Sequence, residues 1–168
     1  IEKQYNLKIK ADKSWKVDVM IKKLVPWSQE LETGIEVVDQ QHLEFFKNLN
    51  NFILRVKCGR DDSVQAAAEQ LEYLCYYIMM HFNTEEGYMV KCDDAKYREH
   101  QAEHNHLVFQ VRALSAQLKG GATAETVESL FALLSQWVYE HILTWDVEFA
   151  ARYRAWEAEQ KGETQGPT

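Results

Sequence analysis

Five of the six histidines, His42, His81, His100, His104 and His141, fall together with Glu85 on the same helical faces as recurring apolar residues. Those faces are the ones a helix buries. A buried carboxylate without a partner costs several kcal/mol, and an unpartnered imidazole is also penalised. So many polar groups on buried faces need something to bind, and a metal supplies it. Residues four apart lie about 40° apart around a helix, so His81 with Glu85, and His100 with His104, can each grip one centre. Asp146, five residues after His141, would stand about 140° away from it on a straight helix. The helix is therefore predicted to be distorted, or to end, between Leu143 and Asp146, which turns that carboxylate inward.

Five imidazoles and two carboxylates are too many for one tetrahedral zinc and suit two ions of higher coordination sharing carboxylate bridges. Imidazole-rich ligation also differs from the Glu-x-x-His, carboxylate-rich sites of ferritin-like bundles. Fewer anionic donors favour the reduced pair, and with it binding of dioxygen over cleavage of its bond.

Four amphipathic elements must position these groups. The first carries Val38, His42, Phe45, Leu49, Phe52 and Val56 and ends before Gly59. The second, capped by Asp61 or Asp62, carries Val64, Ala67, Leu71, Leu74, Ile78, His81, Glu85 and Tyr88. The third follows Asp93 and Asp94, carries Tyr97, His100, His104, Leu107, Val111, Leu114 and Leu118, and stops at Gly120 and Gly121. The fourth, capped by Thr123, carries Val127, Leu130, Leu134, Trp137, His141 and Trp145. Short connections make neighbours antiparallel, so the expected fold is all-α, an up-and-down antiparallel four-helix bundle. That order brings the polar residues to one end. The pattern Leu7, Ile9 and Trp15, Val17, Val19 alternates with period two and reads as an N-terminal extended arm. The organisation is thus an extension or linker over 1–24, the bundle over 25–155 and a C-terminal tail over 156–168, with disorder expected from Lys161 to Thr168.

Composition agrees. Pro26 and Pro167 are the only prolines, so the segment between them lacks the strongest helix breaker. The net charge of −7 argues against nucleic acid, which needs a basic face. Residues 1 to 25 hold seven lysines against Glu2, Asp12 and Asp18, a net of +4 that leaves −11 for the remainder. Three cysteines, Cys58, Cys75 and Cys92, without a C-x-x-C pair fit a reducing compartment, hence a cytoplasmic location. No apolar run approaches the roughly 20 residues of a membrane span.

The pattern His42, His81-x-x-x-Glu85, His100-x-x-x-His104 and His141-x-x-x-x-Asp146 resembles the hemerythrin signature, in its bacterial bacteriohemerythrin branch. Further matches are Pro26-Trp27, Thr33-Gly34-Ile35, Asp39-Gln40-Gln41-His42, the run from His81-Phe82 through Glu85-Glu86 to Met89, and His141-Ile142. The resemblance spans about Val25 to Tyr153. It implies a non-haem centre of two iron ions with an oxo or hydroxo bridge. His100, His104 and His141 would hold one iron, His42 and His81 the other, and Glu85 and Asp146 would bridge them. The iron with two histidines would keep an open position where dioxygen binds reversibly. Phe82, Trp137, Val138 and Ile142 are candidate walls of a dry pocket around it, and core packing explains the same four residues.

Other residues carry blander readings. His106, two residues from His104, faces away and reads as a surface histidine. Glu86 reads as a solvent-facing carboxylate, with an acceptor role for a ligand histidine as the alternative. Trp27 would cover a bundle end, and Cys75 reads as a small buried hydrophobe. Three functions fit one ligand set. The first is a dioxygen carrier or store, with no enzymatic activity. The second is an oxygen or redox sensor fused to or partnered with a signalling domain, motivated by the lysine-rich leader and a chain that starts at Ile1 as a piece of a longer protein would. The third is a peroxide- or nitric-oxide-consuming enzyme, which needs a proton donor near the open iron.

Overall fold

The structure, a computed structural model, describes residues 27–58, 60–121 and 123–163, without the side chains of 57–63 and 163. The extended arm expected over 1–24 and the last residues of the expected tail lie outside the described residues. Within them there is no strand, and the chain is a set of long helices: α1 (Glu36–Cys58), α2 (Arg60–Lys91), α3 (Tyr97–Lys119) and a fourth rod. That rod comprises α4 (Ala124–Ala132), a π-helical turn (Leu133–Trp137), α5 (Val138–His141), a second π turn (Ile142–Asp146) and α6 (Val147–Glu163). It continues eight residues into the segment read as a tail from 156.

Cross-helix contacts give the directions. The start of α1 meets the end of α2 through Gln41 and Thr84, 3.0 Å apart, and its far end meets the start of α2 through Arg55 and Glu69. The end of α2 meets the start of α3 through Glu86 and Gln101 at 2.8 Å. The start of α3 meets the late part of the fourth rod through Lys96 and Glu148 at 3.3 Å. The helices therefore run up and down, as the short connections require.

Local chemistry sets the boundaries. Before α1, Asp39 accepts hydrogen bonds from Thr33 N at 2.7 Å, Thr33 Oγ1 at 2.7 Å and Gly34 N at 3.0 Å. A carboxylate near a helix start satisfies donors that would otherwise be orphaned. Gly34 adopts φ +73°, and a Cβ there would collide with the Arg154 guanidinium. Helix α2 begins at Arg60, so neither Asp61 nor Asp62 caps it, and Val64, expected on its buried face, is exposed. The seam instead runs at the other end to Met89, which is fully buried. Between α2 and α3, Asp94 accepts from Lys96 N at 2.8 Å and from Arg152 Nε at 3.0 and 3.1 Å. Thr123 caps the fourth rod in a reciprocal capping box with Thr126.

Two apolar clusters result. The larger fills the bundle from Phe45 and Leu49 through Leu71, Leu74, Leu107, Val111 and Leu130 to Ile142. The smaller, Ile35, Val38, Met89, Phe149, Ala150 and Tyr153, joins the start of α1 and the end of α2 to α6. Cys75 is exposed, so its reading as a buried hydrophobe is corrected: it lies one residue off the Leu71, Leu74, Ile78 stripe. His106 is exposed, as expected.

Candidate metal centre

All seven singled-out polar residues, His42, His81, Glu85, His100, His104, His141 and Asp146, are buried, none more than 5% exposed. Helix α1 supplies His42, α2 His81 and Glu85, α3 His100 and His104, and the fourth rod His141 and Asp146. Spacing of four aligns the pairs on α2 and α3. The fourth rod needs a different device, because its pair is five apart. The π turn Ile142–Asp146 lies between the two residues, and its wider i-to-i+5 ring turns the second onto the face of the first. His141 Nε2 then stands 3.1 Å from Asp146 Oδ1. Both π turns contain a hydroxyl bonded back to the carbonyl four residues earlier, Ser135 to Phe131 and Thr144 to Glu140, each at 2.7 Å. Such back-bonding competes with the helical ladder and bends it.

The donor atoms fall into two groups with shared members. Glu85, His100, His104, His141 and Asp146 form one, and His42, His81, Glu85 and Asp146 the other, each with ligand atoms within 4.8 Å of one another. Asp146 faces both. Its Oδ1 is 3.1 Å from His100 Nε2 and His141 Nε2, and its Oδ2 is 3.2 Å from His42 Nε2. Glu85 Oε2 stands 3.2 Å from His104 Nε2 and 3.7 Å from His81 Nε2.

The donor chemistry fits metal ions. His42 and His81 turn Nε2 toward Nε2 at 3.2 Å, and His100 and His141 do so at 3.0 Å. Adjacent nitrogens on one ion, each at about 2.1 Å, would be about 3 Å apart. Both Glu85 oxygens, Asp146 Oδ2 and His104 Nε2 are buried without a hydrogen-bond partner among the described residues. Each such orphan costs about 1–3 kcal/mol unless something else binds it. Burial first, then the Asp146 carboxylate and Glu86, pushes the Glu85 carboxyl well above the usual range. Burial also raises Asp146, but the imidazoles of His141, His100 and His42 outweigh it and hold that carboxyl well below the usual range. Burial, aided by His42 and His141 and opposed by Asp146, lowers His81 to about 4. Burial and the facing His100 and His141 lower His104 as well. Neutral imidazoles are the form that ligates a cation.

A cavity of about 10 Å³ adjoins the group and is lined by Leu74, Tyr77, His81, Phe82, Leu107, Trp137, Val138, His141, Ile142 and Asp146. The four candidate pocket residues, Phe82, Trp137, Val138 and Ile142, are all in its wall. Phe82 also stacks on His104, with ring centroids 3.7 Å apart, and Trp137 on His141 at 4.4 Å. Trp27 leans on Phe46 at 5.7 Å and His42 at 6.2 Å.

Two residues at the site escaped the sequence reading, and a third was weighed there only as an alternative. Tyr77 lines the cavity, stacks on His81 at 5.0 Å, and buries a hydroxyl with no partner among the described residues. Its place four before His81 was the available signal. Gln41 meets His81 Nδ1 at 3.1 Å. Glu86, read as solvent-facing with an acceptor role as the alternative, takes the alternative: it meets His104 Nδ1 at 3.1 Å with its side chain 24% exposed. No spacing within one helix reveals either contact, because each crosses between helices.

Comparison with known proteins gives an independent view. The family model described as the Hemerythrin HHE cation binding domain matches residues 33–153. A bacteriohemerythrin of Pseudomonas aeruginosa is 30% identical over 129 residues, 76% of this chain and 80% of the relative. One from Stenotrophomonas maltophilia is 30% identical over 134 residues, 79% of this chain and 83% of the relative. One from Methylococcus capsulatus is 29% identical over 120 residues, 71% of this chain and 88% of the relative. No solved structure matches significantly. The matched span takes in every one of the seven polar residues gathered inside the bundle, and the chain belongs to the hemerythrin family.

Proposed function

We propose that this chain binds dioxygen reversibly at a pair of iron ions, as a carrier or store and not as an enzyme. The observation that carries the reading is the division of the donors into two groups that share Glu85 and Asp146. His100, His104 and His141 would hold one ion, His42 and His81 the other, and the two carboxylates would span both. The group with two imidazoles has one donor fewer, which leaves room for a small ligand on that ion. Bound there, the pair of irons would supply the two electrons that reversible dioxygen binding requires.

The chain's own residues set the conditions. Phe82, Trp137, Val138 and Ile142 wall a space of about 10 Å³, at the lower limit of what holds one water. Keeping water out protects a bound oxidant from the proton uptake that would drive its irreversible loss. The stacked faces of Phe82 on His104 and Trp137 on His141 restrict both rings.

Tyr77 is the observation that favours the enzyme reading, because it lines the cavity and is the residue there that carries a hydroxyl. Burial first, then Asp146 and Glu85, raises this phenol well above its ordinary value.

The test is an optical spectrum of the iron-loaded chain, reduced without oxygen, exposed to air, then returned to an oxygen-free atmosphere. A visible charge-transfer band that appears in air and vanishes on return is the expected result. A diferric spectrum that deoxygenation does not reverse would overturn the carrier and favour a redox sensor or an oxidase.

A further inference from the structure

Only two of the five buried imidazoles have a hydrogen-bond partner for Nδ1 among the described residues. His42, His100 and His141 have none, whereas His104 Nδ1 meets Glu86 Oε1 and His81 Nδ1 meets Gln41 Oε1, each at 3.1 Å. One partner serves each donor group, and the partners differ in charge.

Both contacts are held from behind. Glu86 Oε2 accepts from Gln101 Nε2 at 2.8 Å and from the Tyr97 hydroxyl at 3.4 Å, and Gln101 Nε2 also reaches that hydroxyl oxygen at 2.8 Å. A carboxylate only accepts, so His104 carries its proton on Nδ1 and turns a bare Nε2 inward. On the other side, the Thr84 hydroxyl donates to Met80 O at 2.9 Å and therefore accepts from Gln41 Nε2 at 3.0 Å. That fixes the Gln41 amide with Oε1 toward His81 and selects the same tautomer there. The two rings are oriented alike, and one is backed by an anion.

We propose that Glu86 is a positioning residue that holds His104 through Nδ1 and biases the ion held by His100, His104 and His141 toward the ferric state, while the neutral Gln41 behind His81 gives the other ion no such bias. The proposal rests on the di-iron reading. An anion bonded to the outer nitrogen makes an imidazole a stronger donor and stabilises the higher charge on the metal, and loss of such a partner costs about 10- to 100-fold in metal affinity.

The experiment is a stepwise redox titration of the iron-loaded full chain, in wild type, Glu86→Gln and Gln41→Glu. Glu86→Gln keeps an acceptor at His104 and removes the charge. One of the two iron steps should then move upward, by about 59 mV for each tenfold loss of ferric over ferrous preference, and the other should stay. Gln41→Glu should lower the step that Glu86→Gln leaves in place. Unmoved steps in both variants, or equal movement of both steps, would overturn the proposal. Nitrogen NMR of the metal-free chain separates this from the di-iron reading: His104 should be the Nδ1–H tautomer in wild type and lose that preference in Glu86→Ala. An Nε2–H His104 in wild type overturns the proposal whatever metal the centre takes, whereas failure of wild type to load iron, with His104 in the expected tautomer, overturns only the di-iron reading and its redox consequence.

Discussion

The two ends of the bundle are built on opposite principles. At the far end, Leu49, Phe52, Ile53, Leu71, Val111 and Leu130 pack side chain against side chain, and an open cleft of about 470 Å³ between α1 and α2 is lined partly by Asn48, Asn51, Arg55 and Glu69. At the near end, seven polar residues are enclosed, the adjoining space shrinks to about 10 Å³, and a second apolar cluster around Phe149 and Met89 lies beside them. Apolar burial at the far end stabilises the fold by about 25 cal/mol per Å². That surplus offsets the orphaned polar atoms at the near end. Stability and chemistry are thus carried by different halves of the same helices.

Removing the group common to both donor sets should break the comparison most severely. Asp146→Ala is expected to reduce bound iron from a pair per chain to none, read by metal analysis, while circular dichroism still reports a helical bundle. Full iron content in that variant would mean that Asp146 does not span the two groups. The complementary change is Leu49→Ala, which leaves a cavity in the far core and should cost about 2–5 kcal/mol in urea unfolding with iron content unchanged.

Acid should separate the ends next. His81 titrates near 4 in the folded chain against an ordinary 6.5, so below 6.5 the unfolded state takes up a proton that the folded state refuses. Stability of the metal-free chain is therefore full above pH 6.5 and falls as pH drops toward 4, by about 3 kcal/mol from this residue. His104, also lowered, acts in the same direction. Urea titrations of wild type and Leu49→Ala across this range should show the same pH slope, because the far core contributes no histidine to it.

The smallest expected effect is Tyr77→Phe. Deleting a buried hydroxyl that has no partner among the described residues should stabilise the metal-free chain by about 1 kcal/mol and leave iron loading intact. Destabilisation would show that the hydroxyl is satisfied within the near end.

Much of this was legible in residue order. The stripes from Val38 to Phe52 and from His100 to Leu114 are buried as their periodicity implies, because a helix repeats its faces whatever packs against it. The misfit of Asp146 with a straight helix was legible too, and the first π turn, Leu133–Trp137, was not, since no pair of chemical residues flags it. Val64 and Cys75 were misplaced because a stripe states which face is buried and not how far along the helix its partners extend. Glu86 was misread for a related reason: one position off the seam faces solvent on an isolated helix and a neighbour's edge in a bundle.

The sequence by itself determined the four amphipathic helices, the gathering of seven ligand-type residues at one end and the family, because these follow from spacing along single helices and from local motifs. The tertiary structure decided that the two oxygens of Asp146 face different donor groups, that Tyr77 lines the adjoining cavity, and that a carboxylate backs His104 where an amide backs His81. Those are distances between helices, set by how side chains interlock across the bundle, and no periodicity within one helix encodes them.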